Sequence, residues 1–310
     1  MRNRTRFAFN PLALVAAAAL ACASLVSSGD ATATGSTDDI AGTQQIYGLI
    51  PPDQIETISS TDRIKSVATS GSMMAIWETL EHGERVECLD CIPVVGELLY
   101  DANPRTREIA AWWLRRRISG VFGDGQVYPQ TVQRLQNDPD PVTRAYAASA
   151  LGEFLALPGI AACAQAVASD EDPRVRAAAA TALGRLNDDG GGAITKALLD
   201  SDATVRLAAL RTAGRLTKFS DAASVSRLST DNDVVVRRNA AELLGHMRSP
   251  DGYDALVTLT KDSDANVRGA AAHSLGALHD ARAHDALQGL ANGDPDSLVR
   301  DLAKIALRRL

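Results

Sequence analysis

An all-α solenoid is the architecture to expect from this chain of 310 residues. Two observations lead there. The first is a seven-fold recurrence of arginine: Arg107, Arg144, Arg176, Arg206, Arg237, Arg268 and Arg300 stand at steps of 37, 32, 30, 31, 31 and 32 residues. Six residues before each lies an aspartate, at Asp101, Asp138, Asp170, Asp200, Asp231, Asp262 and Asp294. The second is an apolar run after each arginine, closing on Leu-Gly at Leu151-Gly152, Leu183-Gly184, Leu244-Gly245 and Leu275-Gly276, and on Ala213-Gly214 in a variant form. Self-similarity at a period near thirty residues means stacked units, none able to bury its apolar face alone. Apolar residues make up 45% of the chain and aromatics only 4%, so alanine and leucine must carry the core.

The N-terminus reads as a targeting segment over 1–21. Arg2, Arg4 and Arg6 form a basic start, and Leu12 to Ala21 is an apolar stretch too short to span a bilayer comfortably. Ala19-Leu20-Ala21 fits a small-residue cleavage site. Ala19-Leu20-Ala21-Cys22 also resembles a bacterial lipobox, with alanine where leucine is usual, which makes Cys22 a candidate lipidation site. Both readings stay open, and both imply export. Residues 22–60, rich in Ser, Thr, Ala, Gly and Asp toward their start, read as a flexible tether. Removing the leader takes the net charge from −6 to −9. That balance argues against general nucleic-acid binding, which depends on neutralising phosphates.

Residues 61–91 are expected to form a helical N-terminal cap, with Thr61 or Asp62 capping a helix from Arg63 to about Ser70 and a second helix from Ser72 to His82. The repeat array follows over 92–310. Within one unit, Asp172 is placed to cap a helix and Pro173 sits at its first position, where a missing N–H costs nothing. Val175, Ala179, Ala182, Leu183 and Leu186 share one helical face. A more variable helix precedes each turn, such as Ala193 to Leu199 or Tyr253 to Thr260. Each unit is then a helical hairpin. The recurrent arginine falls at the fourth position of the second helix, where a cation opposes the helix dipole. A ladder is expected, each arginine bonding an aspartate of its own or the adjacent turn together with backbone carbonyls. The longer step between Arg107 and Arg144 places a projecting loop at Ser119 to Tyr128.

The Asp-x-Asp turn, the Val-Arg pair, the alanine run and Leu-Gly, as at Asp170 to Gly184 and Asp262 to Gly276, resemble the HEAT-repeat family, in particular its short bacterial, phycobilisome-lyase-like form. The resemblance implies a right-handed superhelix of about seven hairpins, with second helices lining the concave side. It implies a scaffold or adaptor for a protein or peptide partner, with no cofactor and in monomeric form. The membrane enters only through a lipid at Cys22. HEAT-like iron hydroxylases carry His-Glu pairs on their helices, and this chain has none.

Positions one, five and nine residues after each arginine share a face and vary between units. Their middle is basic, with Arg185, Arg211, Arg215 and Arg238. This stripe is either a solvated charged face or a recognition surface for an acidic peptide or sugar. In Trp112-Trp113-Leu114-Arg115-Arg116-Arg117, Trp113 falls on a core position, whereas Trp112, with Arg116, falls on the variable ridge and has the composition of an interface anchor. Cys88-Leu89-Asp90-Cys91 is a C-x-x-C pair, for which disulfide, metal and redox readings stay open, disulfide leading in an exported chain. Cys163 reads as a buried free thiol. No phosphate loop, nucleophile elbow or zinc-protease helix is present, so no catalytic residue is assigned. The rival to a binding role is a redox or accessory factor using Cys88 and Cys91, or a lyase-like activity by analogy with the family.

Overall fold

The computed structural model describes residues 59–118 and 125–310. The leader, Cys22, nearly all of the tether and residues 119–124 of the projecting loop lie outside the described residues. The described part is 73% helical with no strand, and its sixteen α-helices pack in consecutive pairs as an all-α solenoid.

The cap is α1 (Thr61–Ser70) and α2 (Met73–His82). Ser60, not Thr61 or Asp62, caps α1, its hydroxyl accepting from Arg63 N at 3.2 Å. Ser72 caps α2 through Ala75 N. Seven hairpins follow. They are α3 (Cys91–Glu97) with α4 (Pro104–Leu114), α5 (Val127–Asn137) with α6 (Pro141–Phe154), and α7 (Gly159–Ser169) with α8 (Pro173–Leu186). Next come α9 (Ala193–Ala197) with α10 (Ala203–Ala213), α11 (Ala222–Ser226) with α12 (Val234–Met247), and α13 (Tyr253–Leu259) with α14 (Ala265–Leu278). The last is α15 (His284–Gly293) with α16 (Ser297–Leu307). Helix α5 begins at Val127, so it takes in the last two residues read as loop.

One local device starts every second helix. The N-cap side chain, Asn103, Asp140, Asp172, Asp202, Asp233, Asp264 or Asp296, accepts a backbone N–H of the first turn at 2.8–3.1 Å. The aspartate two residues earlier accepts the N–H of the N-cap residue itself, at 2.7 Å for Asp101 and 2.9 Å in the other six units. Asp-x-Asp therefore closes the turn and caps the helix in one stroke, satisfying donors that the helix start leaves orphaned.

The second helices stack on one another from unit to unit, α6 on α8, α8 on α10, α12 on α14 and α14 on α16. Close approach explains the glycine of Leu-Gly. A Cβ on Gly152 would stand 2.8 Å from Ala182 Cα, and one on Gly276 would stand 2.8 Å from Ala306 Cα. The last unit departs from this pattern. Lys304 and Arg308, both exposed, stand where interior units carry buried alanines such as Ala148 and Ala272 and close-packed glycines such as Gly152 and Gly276. A unit stacked on that face in the manner of the others would bury two charges, which is costly.

At the other end Trp113 is fully buried and donates from Nε1 to Gly83 O at 2.8 Å. Arg117 is also buried. It donates to the carbonyls of Trp113, Glu84 and Val86 and stacks on the Trp113 ring at 3.3 Å. Burial pulls its pKa down to about 10. The chain leaving α2 is thereby tied to the C-terminus of α4, where a cation also suits the helix dipole.

Candidate functional site: the turn ladder and the ridge of second helices

The recurrent arginines face the turns. In all seven units Nη1 donates to the carbonyl of the aspartate six residues earlier, at 2.6–3.0 Å. From Arg144 to Arg268 the remaining guanidinium edge reaches forward to the aspartate of the next unit. The pairs are Arg144–Asp170, Arg176–Asp200, Arg206–Asp231, Arg237–Asp262 and Arg268–Asp294, with N–O distances of 2.6–3.0 Å. Each guanidinium thus fastens its own turn and the next. Two units differ. Arg107 stacks over the Tyr146 ring at 3.9 Å, and its forward bond to Asp138 is missing. Arg300, with no following unit, meets the carbonyls of Asp294 and Pro295.

These pairs are largely out of water, the Arg144 and Asp170 side chains being 8% and 9% exposed. Hydrogen bonds from Arg237 and Arg268 hold Asp262 and Asp294 below the usual carboxylate range, against the opposing effect of burial. The same bonds raise Arg237 and Arg268 above the usual guanidinium value. A group that repeats in this way and spends its donors on the turns fixes the stacking and leaves the opposite side of each second helix free.

That side is the ridge. Its basic residues divide into two sets. Arg116 pairs with Glu84 at 3.1 Å, Arg238 with Glu242 at 3.6 Å, and Arg185 with Glu153. Burial raises the Glu153 carboxyl pKa even though Arg185 opposes the shift. Arg211 in the last turn of α10 and Arg215, two residues past its end in the following turn, are exposed and have no carboxylate partner among the described residues. Trp112 is half-buried and packs against the core. Farther along, a groove of about 380 Å³ is lined by α12, α14 and α16, with Gly269, Ala270, Val299 and Leu302 among its residues. The ridge pattern locates Gly269 but not Leu298 and Leu302, which sit off the periodic positions. The place of Leu298, one residue after the start of α16, is held by Arg105, Val142, Arg174, Thr204, Val235 and Asn266 in the other units, so a leucine there carries little signal by itself.

Cys88 and Cys91 form a disulfide at the start of α3, and both residues are buried. Cys163 is a buried free thiol whose pKa burial pushes up to about 12. Among the described residues no group of three or more His, Cys, Asp or Glu side chains is arranged to hold a metal ion, and no helix is long and apolar enough to cross a membrane.

Helical hairpins stacked in register define a helical repeat protein. Residues 128–211 and 222–308 match the HEAT repeats family, and the chain belongs to it. Among solved structures it is similar to the X-ray structure of YibA from Escherichia coli, with 17% identity, a TM-score of 0.54, and coverage of 91% of this chain and all of that one. The archaeal HEAT-like repeats protein from Thermococcus onnurineus is 17% identical, with a TM-score of 0.47 over 70% of this chain and 96% of that one. The complex of CpcE and CpcF of phycocyanin lyase from Nostoc is 22% identical, with a TM-score of 0.39 over 70% of this chain and 86% of that one. No curated protein sequence matches the chain.

Proposed function

We propose that this is an exported HEAT-repeat scaffold or adaptor that binds a protein partner along the ridge of its second helices, in the periplasm or cell envelope. The observation that carries this reading is the division of labour among arginines. Five ladder guanidinia are consumed between units, whereas Arg211 and Arg215 stand exposed, with no ion-pair partner among the described residues, on the ridge of an acidic chain. HEAT repeats commonly mediate protein interactions, and an open ridge offers area for a partner without an enclosed chamber for chemistry. Export rests on the leader over 1–21, and a lipid at Cys22 is its anchored form.

Affinity capture with the full-length chain, comparing wild type with Arg211→Glu/Arg215→Glu and with Trp112→Ala, tests the reading. A partner held by wild type and lost from the ridge double variant is expected. A capture profile unchanged by both variants removes the ridge and the Trp112 end as docking surfaces. The redox rival at Cys88 and Cys91 draws support from the disulfide itself. Burial of both residues counts against it, because exchange requires access to a sulfur.

A further inference from the structure

The ridge changes character from α10 onward. Arg211 lies in the last turn of α10 and Arg215 follows in the turn beyond it, two exposed like charges four residues apart, so an anion beside both is favoured. Two units on, Gly269 takes the ridge position that carries Ala145, Ala177, Leu207 and Arg238 in the four units before it. Its missing side chain lets Leu302 of α16 approach, Cδ1 lying 3.1 Å from where a Cβ would stand, and a groove lined by α12, α14 and α16 runs beside this contact. The floor is apolar, and Leu298 stands at the mouth, 63% exposed. The charged groups nearby are already engaged. Glu242 faces Arg238 at 3.6 Å, Asp296 caps α16 through Leu298 N and Val299 N, and Asp301 pairs with Lys304 at 3.1 Å. His273 lines the same groove. The surface therefore offers two exposed cations and, farther along one ridge, a groove with an apolar floor, where Glu242 is paired with Arg238 and the Asp296 carboxylate is held by the backbone N–H groups of Leu298 and Val299.

Stacked helices lie about 8–10 Å apart, so two steps from α10 to α14 span roughly 16–20 Å. An extended peptide rises about 3.3 Å per residue and covers that span in about five or six residues. We propose that the ridge from α10 to α16 binds an extended acidic peptide segment: two adjacent carboxylates on Arg211 and Arg215, and a leucine-sized apolar side chain about six residues away in the groove over Ala270, Leu298 and Val299. This rests on the scaffold reading and specifies its partner.

The test is fluorescence anisotropy with the full-length chain and a labelled peptide that carries two adjacent glutamates, five Ser/Gly residues and a leucine. Saturable binding is expected. Arg211→Glu/Arg215→Glu should weaken it by at least about tenfold. Leu298→Glu should weaken the leucine peptide to a similar degree while leaving a serine-for-leucine peptide unaffected. Leu298 is exposed, and an acid suits the first turn of α16, so this variant keeps the fold. Circular dichroism matching wild type checks both variants. Absence of saturable binding overturns the proposal, as does equal binding of a Gln-Gln peptide or indifference to spacer length. Displacement by heparin together with indifference to the leucine assigns the arginines to a sugar polyanion and also overturns it. A captured partner that depends on Arg211 and Arg215, found when the peptide fails to bind, leaves the scaffold reading standing and removes only this one.

Discussion

Arg144 on α6 reaches a full repeat ahead to grip both oxygens of Asp170, with Nε–Oδ2 at 2.9 Å and Nη2–Oδ1 at 3.0 Å, while its Nη1 holds the Asp138 carbonyl behind it. One side chain therefore couples two turns that are 32 residues apart in sequence. The same link recurs four more times, so coupling between units depends on guanidinium groups as well as on apolar packing. Removing one should weaken the array in a position-dependent way. Arg237→Ala leaves the Asp262 carboxylate, 7% exposed, without its partner, and a loss of about 2–4 kcal/mol is expected. Arg300→Ala removes bonds to carbonyls alone and should cost about 1 kcal/mol. Urea unfolding followed by circular dichroism checks both. Equal losses at the two positions would show that the forward bond contributes nothing.

Acid should act through the same carboxylates. Asp262 and Asp294 have folded-state pKa values below the unfolded value, chiefly through their arginine hydrogen bonds. A depressed pKa means that the folded state binds fewer protons, so the stabilisation is present above the unfolded carboxylate value, about 3.9, and is lost as pH falls through the folded value. The urea midpoint should therefore drop between about pH 4 and pH 2. Asp262→Asn keeps an acceptor for Asp264 N but cannot titrate, so its midpoint should start lower and fall less over that range. A wild-type midpoint flat down to pH 2 contradicts the linkage.

The repeat was legible because its residues act locally. Asp-x-Asp closes a turn and caps a helix whatever lies above or below it, so spacing alone located the second helices. The direction of the ladder was not legible. From the sequence, Arg144 could serve Asp138 or Asp170, six residues back or 26 ahead, and only the stacking geometry selects the forward carboxylate and the backward carbonyl. Arg107 illustrates the same limit. The step of 37 residues marks its unit as odd, but the replacement of Asp138 by the face of Tyr146 depends on how α4 meets α6. The cap at Ser60 was missed because Ser60, Thr61 and Asp62 are three adjacent residues of capping type. Arg117 gave no signal at all among three consecutive arginines.

Glycine position separates tight from loose interfaces between units. A Cβ on Gly276 would sit 2.8 Å from the Cα and Cβ of Ala306, backbone that cannot swing aside. Gly276→Ala should cost about 1–3 kcal/mol through forced separation of α14 and α16. Gly214 ends α10 with φ −67°, and a Cβ there would find its nearest neighbour at 3.6 Å. Gly214→Ala should stabilise by up to about 1 kcal/mol through helix propensity and reduced unfolded-state entropy. Opposite signs in thermal denaturation are expected, and a shared sign would mean that the Leu-Gly motif is not about close approach.

Leu155 closes α6 in the left-handed region at φ 55°, as Asn187, Arg248 and His279 close α8, α12 and α14. Two of these positions have side-chain contacts that favour them. Asn187 bonds Thr217, and His279 Nδ1 lies 2.7 Å from the Arg309 carbonyl. Leu155 is 50% exposed, so strain at this backbone position is not matched by full burial. A left-handed residue with a Cβ costs about 1–2 kcal/mol, partly offset in a glycine replacement by the larger entropy of the unfolded chain. Leu155→Gly should therefore stabilise by about 0.5–1 kcal/mol, whereas Asn187→Gly, which loses its bonds to Thr217, should gain nothing. Thermal melts of the two variants side by side decide it. Destabilisation by Leu155→Gly would mean that the half of Leu155 held out of solvent contributes more than the strain costs.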